Sequence, residues 1–355
     1  MALALRLGRR ALGRAWPNPA VGAVVVNADV ILGRGWTQAG GRPHAETEAL
    51  ARAGTRARGA TLYVTLEPCA HQGKTPPCTD GIIAAGISRV VSAMVDPNPL
   101  VAGAGHWQLA ERGILVEVGM GAEEAQRVHA GHTRRMRDGR PHVCVKLAVS
   151  ADEKIALAGR RPTAITAESA RRHVHLMRAM NDAVLTGIAT VLFDDPQLTC
   201  RLPGMHSPVR VVLDSALRLP VTSKLVATTE VAPLWVITGA SGAAEREAAL
   251  LARGVEVLRV EERSGTLHLP AVLKLLADRG ITRVMVEAGP KLTTALLAAN
   301  LIDEIALFRS PSAIGQDGID VLEGLPLAAL IASARLRRAG GESIGPDLLE
   351  CYQRA

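Results

Sequence analysis

Short apolar runs recur along this chain with helix-like segments between them, and that alternation limits the fold more than any other feature. "VGAVVV" (21–26) and "VILGRG" (30–35) read as two strands around a turn at 27–29. "HAETEALARAG" (44–54) reads as a helix ending at Gly54, "TLYVTL" (61–66) as a buried strand, "CTDGIIAAG" (78–86) as a helix and "RVVSAM" (89–94) as a strand. "GHWQLAERG" (105–113) and "ILVEVG" (114–119) add one more helix and strand. Strands with little polar alternation, separated by helices, belong to a sheet whose two faces are both covered.

The polar stretch "RRMRDGRPH" (134–142), with a Gly and a Pro, reads as a linker. A second series follows. Its strands are 143–149, 182–187, 209–215, 233–238, 255–260 and 283–289, and its helices are 167–180, 243–253, 270–279 and 290–299. The expectation is an α/β protein of two domains, residues 1–140 and 141–355; 355 residues exceed what one core usually serves. There is no internal repeat and no low-complexity segment. Aromatic residues make up 2% of the chain, so the cores have to be built from Ala, Val, Leu and Ile.

The first sixteen residues, "MALALRLGRRALGRAW", carry Arg6, Arg9, Arg10 and Arg14, which interrupt any secretory apolar region. They read as an amphipathic first helix, with an Arg-rich transit peptide as the competing reading. No run reaches the eighteen or so apolar residues needed to span a bilayer. The five cysteines are few and odd in number, which argues against a secreted disulfide framework. A cytoplasmic protein is the expectation. The net charge of +7 suits a polyanion or a phosphorylated substrate. Nucleic-acid binding through base stacking would need aromatic platforms, and two Tyr, two Phe and four Trp make those scarce.

The stretch "EPCAHQGKTPPCTDG" (67–81) holds Cys69 and Cys78, and "PHAETEA" (43–49) holds His44 and Glu46. His44 and Cys78 each open a predicted helix, and helix N-termini favour the thiolate that binds a metal. A structural zinc closes its tetrahedron with four protein groups, whereas a catalytic zinc leaves one position to water. His44, Cys69 and Cys78 supply three ligands, and His71 is the rival for a fourth. Glu46, two residues past the histidine, can shuttle a proton without joining the metal shell. "HAE" followed by "PC" matches the signature of zinc deaminases acting on nucleobases, although eight residues separate the cysteines where that signature has two. A helix cap for His44 and a purely structural zinc are the competing readings.

Taken together, "PNPAVG" (17–22), "HAE" (44–46), "TLEPCAHQGKTPPC" (65–78) and "DPNPLVAGAG" (96–105) resemble the bifunctional riboflavin-biosynthesis deaminase–reductases, whose long loop between the cysteines is characteristic. The resemblance covers nearly the whole chain. It implies a cytidine-deaminase-like α/β/α first domain with one zinc ion per chain. The implied substrate is 2,5-diamino-6-ribosylamino-4(3H)-pyrimidinone 5′-phosphate, deaminated at C2. On that reading Lys74 and His71 meet a phosphate or ring oxygen, Thr75 donates a hydroxyl hydrogen bond, and Asn18 bonds the ring or ribose. A solvated loop and a plain turn are the alternatives for these residues.

The second domain lacks G-x-G-x-x-G. In "VMVEAGPKLTTALL" (284–297) a strand runs to Glu287 and a helix starts after Gly289, an arrangement able to hold a phosphate or equally an ordinary strand–helix turn. "VKLAVSADEK" (145–154), "ATVLFDDPQLTCR" (189–201), "VRVVLDS" (209–215) and "VEAGP" (286–290) resemble the reductase half of the same family. This implies a dihydrofolate-reductase-like α/β fold in which NADPH delivers a hydride to C1′ of the ribosyl group. Thr190, Asp194, Ser215, Gly289, Pro290, Lys291 and Leu292 would line the cofactor. Arg178, Leu198, Arg201 and Glu287 would contact the substrate. Arg171, His175 and Arg178 share one helix face, with a solvated basic face preferred for the first two.

Two departures stand out. Glu153 replaces the family's usual Gly, and Pro162 and Ala164 stand where a Ser and an aromatic residue are usual. An active but altered reductase is the expectation. A non-catalytic second domain and an RNA-binding or RNA-editing deaminase are the rivals. The resemblance also implies a homo-oligomer, dimer or tetramer.

Overall fold

The computed structural model describes residues 1–73, 75–99, 101–157, 164–240 and 243–355. The chain divides into two compact units, Met1–Pro141 with Ala277–Thr282, and His142–Leu276 with Arg283–Ala355.

The first unit contains α1 (Ala2–Arg9), β1 (Gly22–Asn27), β2 (Val30–Trp36), α2 (Ala45–Ala53) and β3 (Thr61–Val64). It continues with α3 (Cys78–Ala84), β4 (Arg89–Ser92), α4 (Ala104–Glu111), β5 (Leu115–Val118), α5 (Ala122–Val128) and α6 (Ala130–Asp138). The five strands order as β2-β1-β3-β4-β5, with β1 antiparallel to both neighbours and β3, β4 and β5 parallel. The period of two along β1 places Ala23 and Val25 in one core and Val24 in another. The first core packs against Ala45, Ala49 and Ala53 of α2 and Ile82 of α3, and the second against α1. This is the expected three-layer α/β/α domain.

Small residues let α2 approach the sheet. A Cβ at Gly33 would lie 2.0 Å from the Ala49 carbonyl oxygen, and one at Gly35 would lie 2.1 Å from that of Ala45. The two glycines of "LGRG" thus seat the helix that begins at His44. The "RRMRDGRPH" segment is not a linker: α6 runs through Asp138, and Gly139 ends it in the left-handed conformation with φ of 64°. An i,i+4 pair of Arg134 and Asp138 supports the polar last turn.

The second unit begins with β6 (His142–Val149), β7 (Lys154–Ala156), α7 (Glu168–Ala179), β8 (Ala183–Gly187), α8 (Ile188–Asp194) and β9 (Val209–Leu213). Then come α9 (Lys224–Ala227), β10 (Leu234–Thr238), α10 (Ala244–Leu251), β11 (Glu256–Arg259), β12 (Glu262–Arg263), β13 (Thr266–Leu267) and α11 (Leu269–Asp278). The chain closes with β14 (Arg283–Val286), α12 (Pro290–Ala298), β15 (Glu304–Arg309), β16 (Ile319–Asp320), α13 (Ala328–Ile331), β17 (Leu336–Ile344) and β18 (Asp347–Arg354).

Nine strands form one sheet in the order β11-β10-β9-β8-β14-β6-β15-β18-β17. The first seven are parallel, and β18 and β17 are added antiparallel at one edge. Val184, Val212, Val236 and Met285 of this sheet pack with Val174 of α7, Val191 of α8 and Leu250 of α10. Ligands of open parallel sheets sit beyond the carboxyl ends of the strands, next to the point where strand order reverses. Here β8 and β14 lie at that point, so the turns after them, 187–190 and 287–291, face one another. Leu292 Cδ2 lies 3.7 Å from where a Cβ of Gly187 would stand.

Glu153 has φ of 62°, the left-handed region that favours glycine. A non-glycine residue there costs on the order of 1 kcal/mol. Its carboxylate accepts from Arg309, 3.2 Å away, which also binds Glu350 at 2.6 Å. The Glu153 side chain is about half exposed, so solvent screening holds that pair to roughly 0–1 kcal/mol. The two effects nearly cancel. Glu153→Gly should therefore leave the denaturant midpoint unchanged or raise it slightly; a loss above about 1 kcal/mol would mean the ion pair dominates.

Candidate functional site

Three segments of the first unit converge. His44 is the N-cap of α2, in extended conformation, and Glu46 lies in the helix's first turn. Cys78 is the first residue of α3, after Pro76 and Pro77; a proline costs nothing at a helix start, where N–H groups lack intrahelical partners. Cys69 lies in the irregular segment after β3.

His44 Nδ1 is 3.3 Å from Cys78 Sγ and 3.7 Å from Cys69 Sγ. The three donor atoms all lie within 4.8 Å of one another. Zinc with bonds of about 2.3 Å to sulfur and about 2.05 Å to nitrogen sets N and S about 3.6 Å apart in a tetrahedron. The donor set and its spacing therefore fit zinc. Among the described residues this is the one such cluster, and the exposed His71 is not part of it. The rival fourth ligand is thus removed.

The Cys78 N–H donates to Cys69 Sγ at 3.3 Å. Hydrogen bonds from Cys78 and His44 pull the Cys69 thiol down to about 4, while donating to Cys69 and being buried push Cys78 far up. One thiolate is thus stabilised before any ion arrives. Glu46 is 4% exposed, and burial followed by the charge of Cys69 raises its carboxyl to about 7. The Thr79 N–H and hydroxyl both donate to the Cys69 carbonyl, at 3.2 and 3.3 Å.

Asn18 meets the outer edge of the ligand ring. Its Nδ2 donates to the Gly41 carbonyl at 2.8 Å and lies 3.2 Å from His44 Nε2. A partner on the second nitrogen of a ligand histidine fixes the ring's orientation. Thr75 is exposed, and its hydroxyl accepts from the Arg42 guanidinium. Arg42 carried no signal in the sequence. Lys74 lies outside the described residues.

In the second unit, Arg178 of α7 donates twice to Glu287, at 2.6 and 3.0 Å, and once to the Thr199 carbonyl at 2.9 Å. The two residues expected to meet a substrate separately are thus also bound to each other. Lys146 of β6 has its Nζ 3.9 Å from Glu287 Oε2. Burial lowers the Lys146 pKa, and Glu287 opposes that shift. Lys146 was missed, although a lysine inside the apolar run "VCVKLAV" was a readable signal.

His175 is half-buried rather than solvated: its Nδ1 lies 3.1 Å from the Thr199 carbonyl oxygen, while Arg171 is exposed as expected. Arg201 is exposed and points its backbone N–H at His175 Nδ1, 3.4 Å away. Leu198 has its side chain in the hydrophobic core and φ of 55°, so a ligand could meet only its backbone. Gly289 caps α12, with Pro290 as the first helical residue and Lys291 and Leu292 following. A Cβ at Gly289 would meet Thr190 Oγ1 at 3.9 Å. This open helix start beside a hydroxyl fits a dinucleotide phosphate. Asp194 is exposed at the end of α8, and the half-buried Ser215 follows β9. Ala164 is exposed, and Pro162 lies outside the described residues.

The cytidine and deoxycytidylate deaminase zinc-binding region matches residues 1–94, and the RibD C-terminal domain matches residues 141–349. The riboflavin biosynthesis protein RibD of Aquifex aeolicus is 41% identical over 355 residues, covering 100% of this chain and 97% of that protein. That of Escherichia coli is 39% identical, covering 98% and 96%. The structure of Acinetobacter baumannii RibD superposes with a TM-score of 0.87 at 36% identity, covering 100% of this chain and 97% of that one. The diaminohydroxyphosphoribosylaminopyrimidine deaminase/5-amino-6-(5-phosphoribosylamino)uracil reductase of Thermotoga maritima superposes with a TM-score of 0.86 at 35% identity, with the same coverage.

The donor geometry makes a direct prediction. The purified chain should carry one zinc ion, and Cys78→Ser should retain less than about a tenth of it by elemental analysis, since losing even a group that only hydrogen-bonds a ligand costs about 10–100-fold in affinity.

Proposed function

The chain belongs to the RibD family of bifunctional deaminase–reductases of riboflavin biosynthesis, and from that premise we propose which residues carry each reaction. We assign zinc-dependent deamination to residues 1–140 and reduction to residues 141–355. The substrate we propose is 2,5-diamino-6-ribosylamino-4(3H)-pyrimidinone 5′-phosphate, in line with the name of the Thermotoga maritima relative.

The observation that carries the first assignment is the triangle of His44, Cys69 and Cys78 beside the buried Glu46. These three residues would hold zinc, which when bound acts as a Lewis acid and activates water. Glu46 takes a proton from the attacking water on its carboxylate and returns it to the leaving exocyclic amine, so ammonia departs neutral. Burial keeps that carboxylate away from bulk solvent, where the proton would be lost. Asn18 holds the His44 ring. His71, Lys74 and Thr75 of the loop between the cysteines are our assignment for the substrate, with Arg42 holding Thr75.

In the second domain, Thr190, Asp194, Ser215 and the helix start from Gly289 to Leu292 are assigned to NADPH, which when bound supplies the hydride that reaches C1′ of the sugar. Arg178 and Arg201 supply positive charge for the substrate phosphate, and the Leu198 backbone borders it. Glu287, gripped by Arg178, and Lys146 form a pair able to hold the proton that the sugar ring oxygen needs as the ring opens. This paired set favours a working reductase over a non-catalytic domain. The Arg309 contact of Glu153 offsets the loss of the family's glycine.

Among the described residues no helix is long and apolar enough to cross a membrane. A cytoplasmic location agrees with a site that depends on free thiolates. The family resemblance supports a homo-oligomer, dimer or tetramer, and a small phosphorylated pyrimidine rather than nucleic acid as partner.

Glu46→Gln should cut ammonia release about 10²–10⁴-fold while zinc content and NADPH oxidation with the deaminated substrate stay at wild-type levels. Glu287→Gln or Lys146→Ala should do the reverse, lowering NADPH oxidation by about 10²-fold or more with ammonia release intact. An E46Q enzyme that still deaminates would remove Glu46 from the mechanism.

A further inference from the structure

The segment "DPNPLVAGAG" (96–105) marks the family, yet neither assignment above gives it work. The N–H groups of its Asp96, Gly103 and Gly105, with that of the following His106, converge on one side chain. Glu67, directly before Pro68 and Cys69, has a side chain that is 0% exposed. Its Oε1 accepts the N–H groups of Gly105 at 2.8 Å and His106 at 3.3 Å, and its Oε2 accepts those of Asp96 and Gly103, both at 3.0 Å.

Gly105 and His106 lie in the first turn of α4, where N–H groups have no intrahelical partner, and the N-cap Gly103 has φ of 84°. A Cβ at Gly105 would stand 2.0 Å from the Pro68 carbonyl oxygen. The first turn of α4 therefore rests on the peptide that joins Pro68 to Cys69. Among the described residues no Lys or Arg pairs with this carboxylate. The His106 ring lies 3.9 Å from Glu67 Oε2, and burial lowers its pKa against the pull of Glu67. Four backbone dipoles hold the carboxylate instead. Asp96 extends the arrangement: its Oδ1 accepts the Asn98 N–H at 2.8 Å and lies 3.1 Å from His132 Nε2.

We propose that Glu67 is the positioning residue for the Cys69 ligand, its carboxylate locking Asp96 and the 103–106 turn against the strand end that delivers Pro68 and Cys69. Cys69 sits in a long irregular segment between β3 and α3. Thr79 anchors its carbonyl from the α3 side. The Glu67 clamp anchors it from the β3 side. Without that clamp the sulfur can drift from the 3.7 Å it keeps to His44 Nδ1.

The proposal rests on the zinc assignment, and the test separates the two. Zinc loss from the full-length protein to a chromogenic chelator is followed for wild type, Glu67→Gln and Val90→Ala. The last variant weakens the same domain's core at β4 without touching the clamp. Glu67→Gln keeps the shape but turns an acceptor into a donor facing N–H groups. It should release zinc at least about tenfold faster than a Val90→Ala protein of matched melting temperature. Its kcat for ammonia release should fall more than KM changes, and the reductase rate should not move. Gly105→Ala, which pushes on Pro68 from the other side, should act alike and serves if Glu67→Gln does not fold. Zinc release no faster than in Val90→Ala overturns the role of Glu67. A wild-type chain without zinc overturns the metal assignment, and this proposal with it.

Discussion

A tetrahedral metal site demands that its donors meet to within a few tenths of an ångström, and here they arrive from three separate stretches of chain. The first domain can be read as the answer to that demand. Gly33 and Gly35 bring α2 onto the sheet so that its N-cap, His44, stands above the strand ends. Two prolines start α3 at Cys78, whose N–H then points at the sulfur of Cys69. The start of α3 contributes electrostatically too, because the Cys78 N–H donates to the Cys69 sulfur and favours its thiolate. Glu46 falls within the same first turn, where helix geometry turns it inward while leaving the ligand ring free to face Asn18.

The second domain meets a different constraint. Charges removed from water must be paired, since an isolated buried ion costs several kcal/mol. Arg178 and Glu287 satisfy one another through two parallel hydrogen bonds, and Lys146 shares the same carboxylate. Two cations around one anion leave a positive excess. Such a surplus is tolerable at the open end of a parallel sheet, and a phosphate would neutralise it.

The two domains were unequally legible. The His44, Cys69 and Cys78 cluster was readable because each residue lies in a compact motif whose residue types have few other uses together. The parallel strands were readable because burial on both faces makes them continuously apolar. The last strands were not. β17 is exposed along almost its whole length and carries "RRAGGES", so it shows neither an apolar run nor an alternation. The polar end of α6 looked like a linker for a similar reason: its stability comes from a glycine stop and an i,i+4 ion pair, not from an apolar stripe. Lys146 and Glu287 are 141 positions apart in a parallel sheet, and no local pattern announces that β6 and β14 are neighbours.

Sequence alone determined the two-domain α/β plan and the family and pointed to the His44, Cys69 and Cys78 cluster, because these depend on residue type, short spacing and hydrophobic period. Tertiary structure decided which polar groups meet. It paired Arg178 with Glu287, turned Asn18 to the ligand histidine, removed His71 from the metal shell and gathered four backbone N–H groups around Glu67. The physical reason is range. Propensity and periodicity act over a few residues, whereas a hydrogen bond between distant segments exists only once the whole sheet has set their distance.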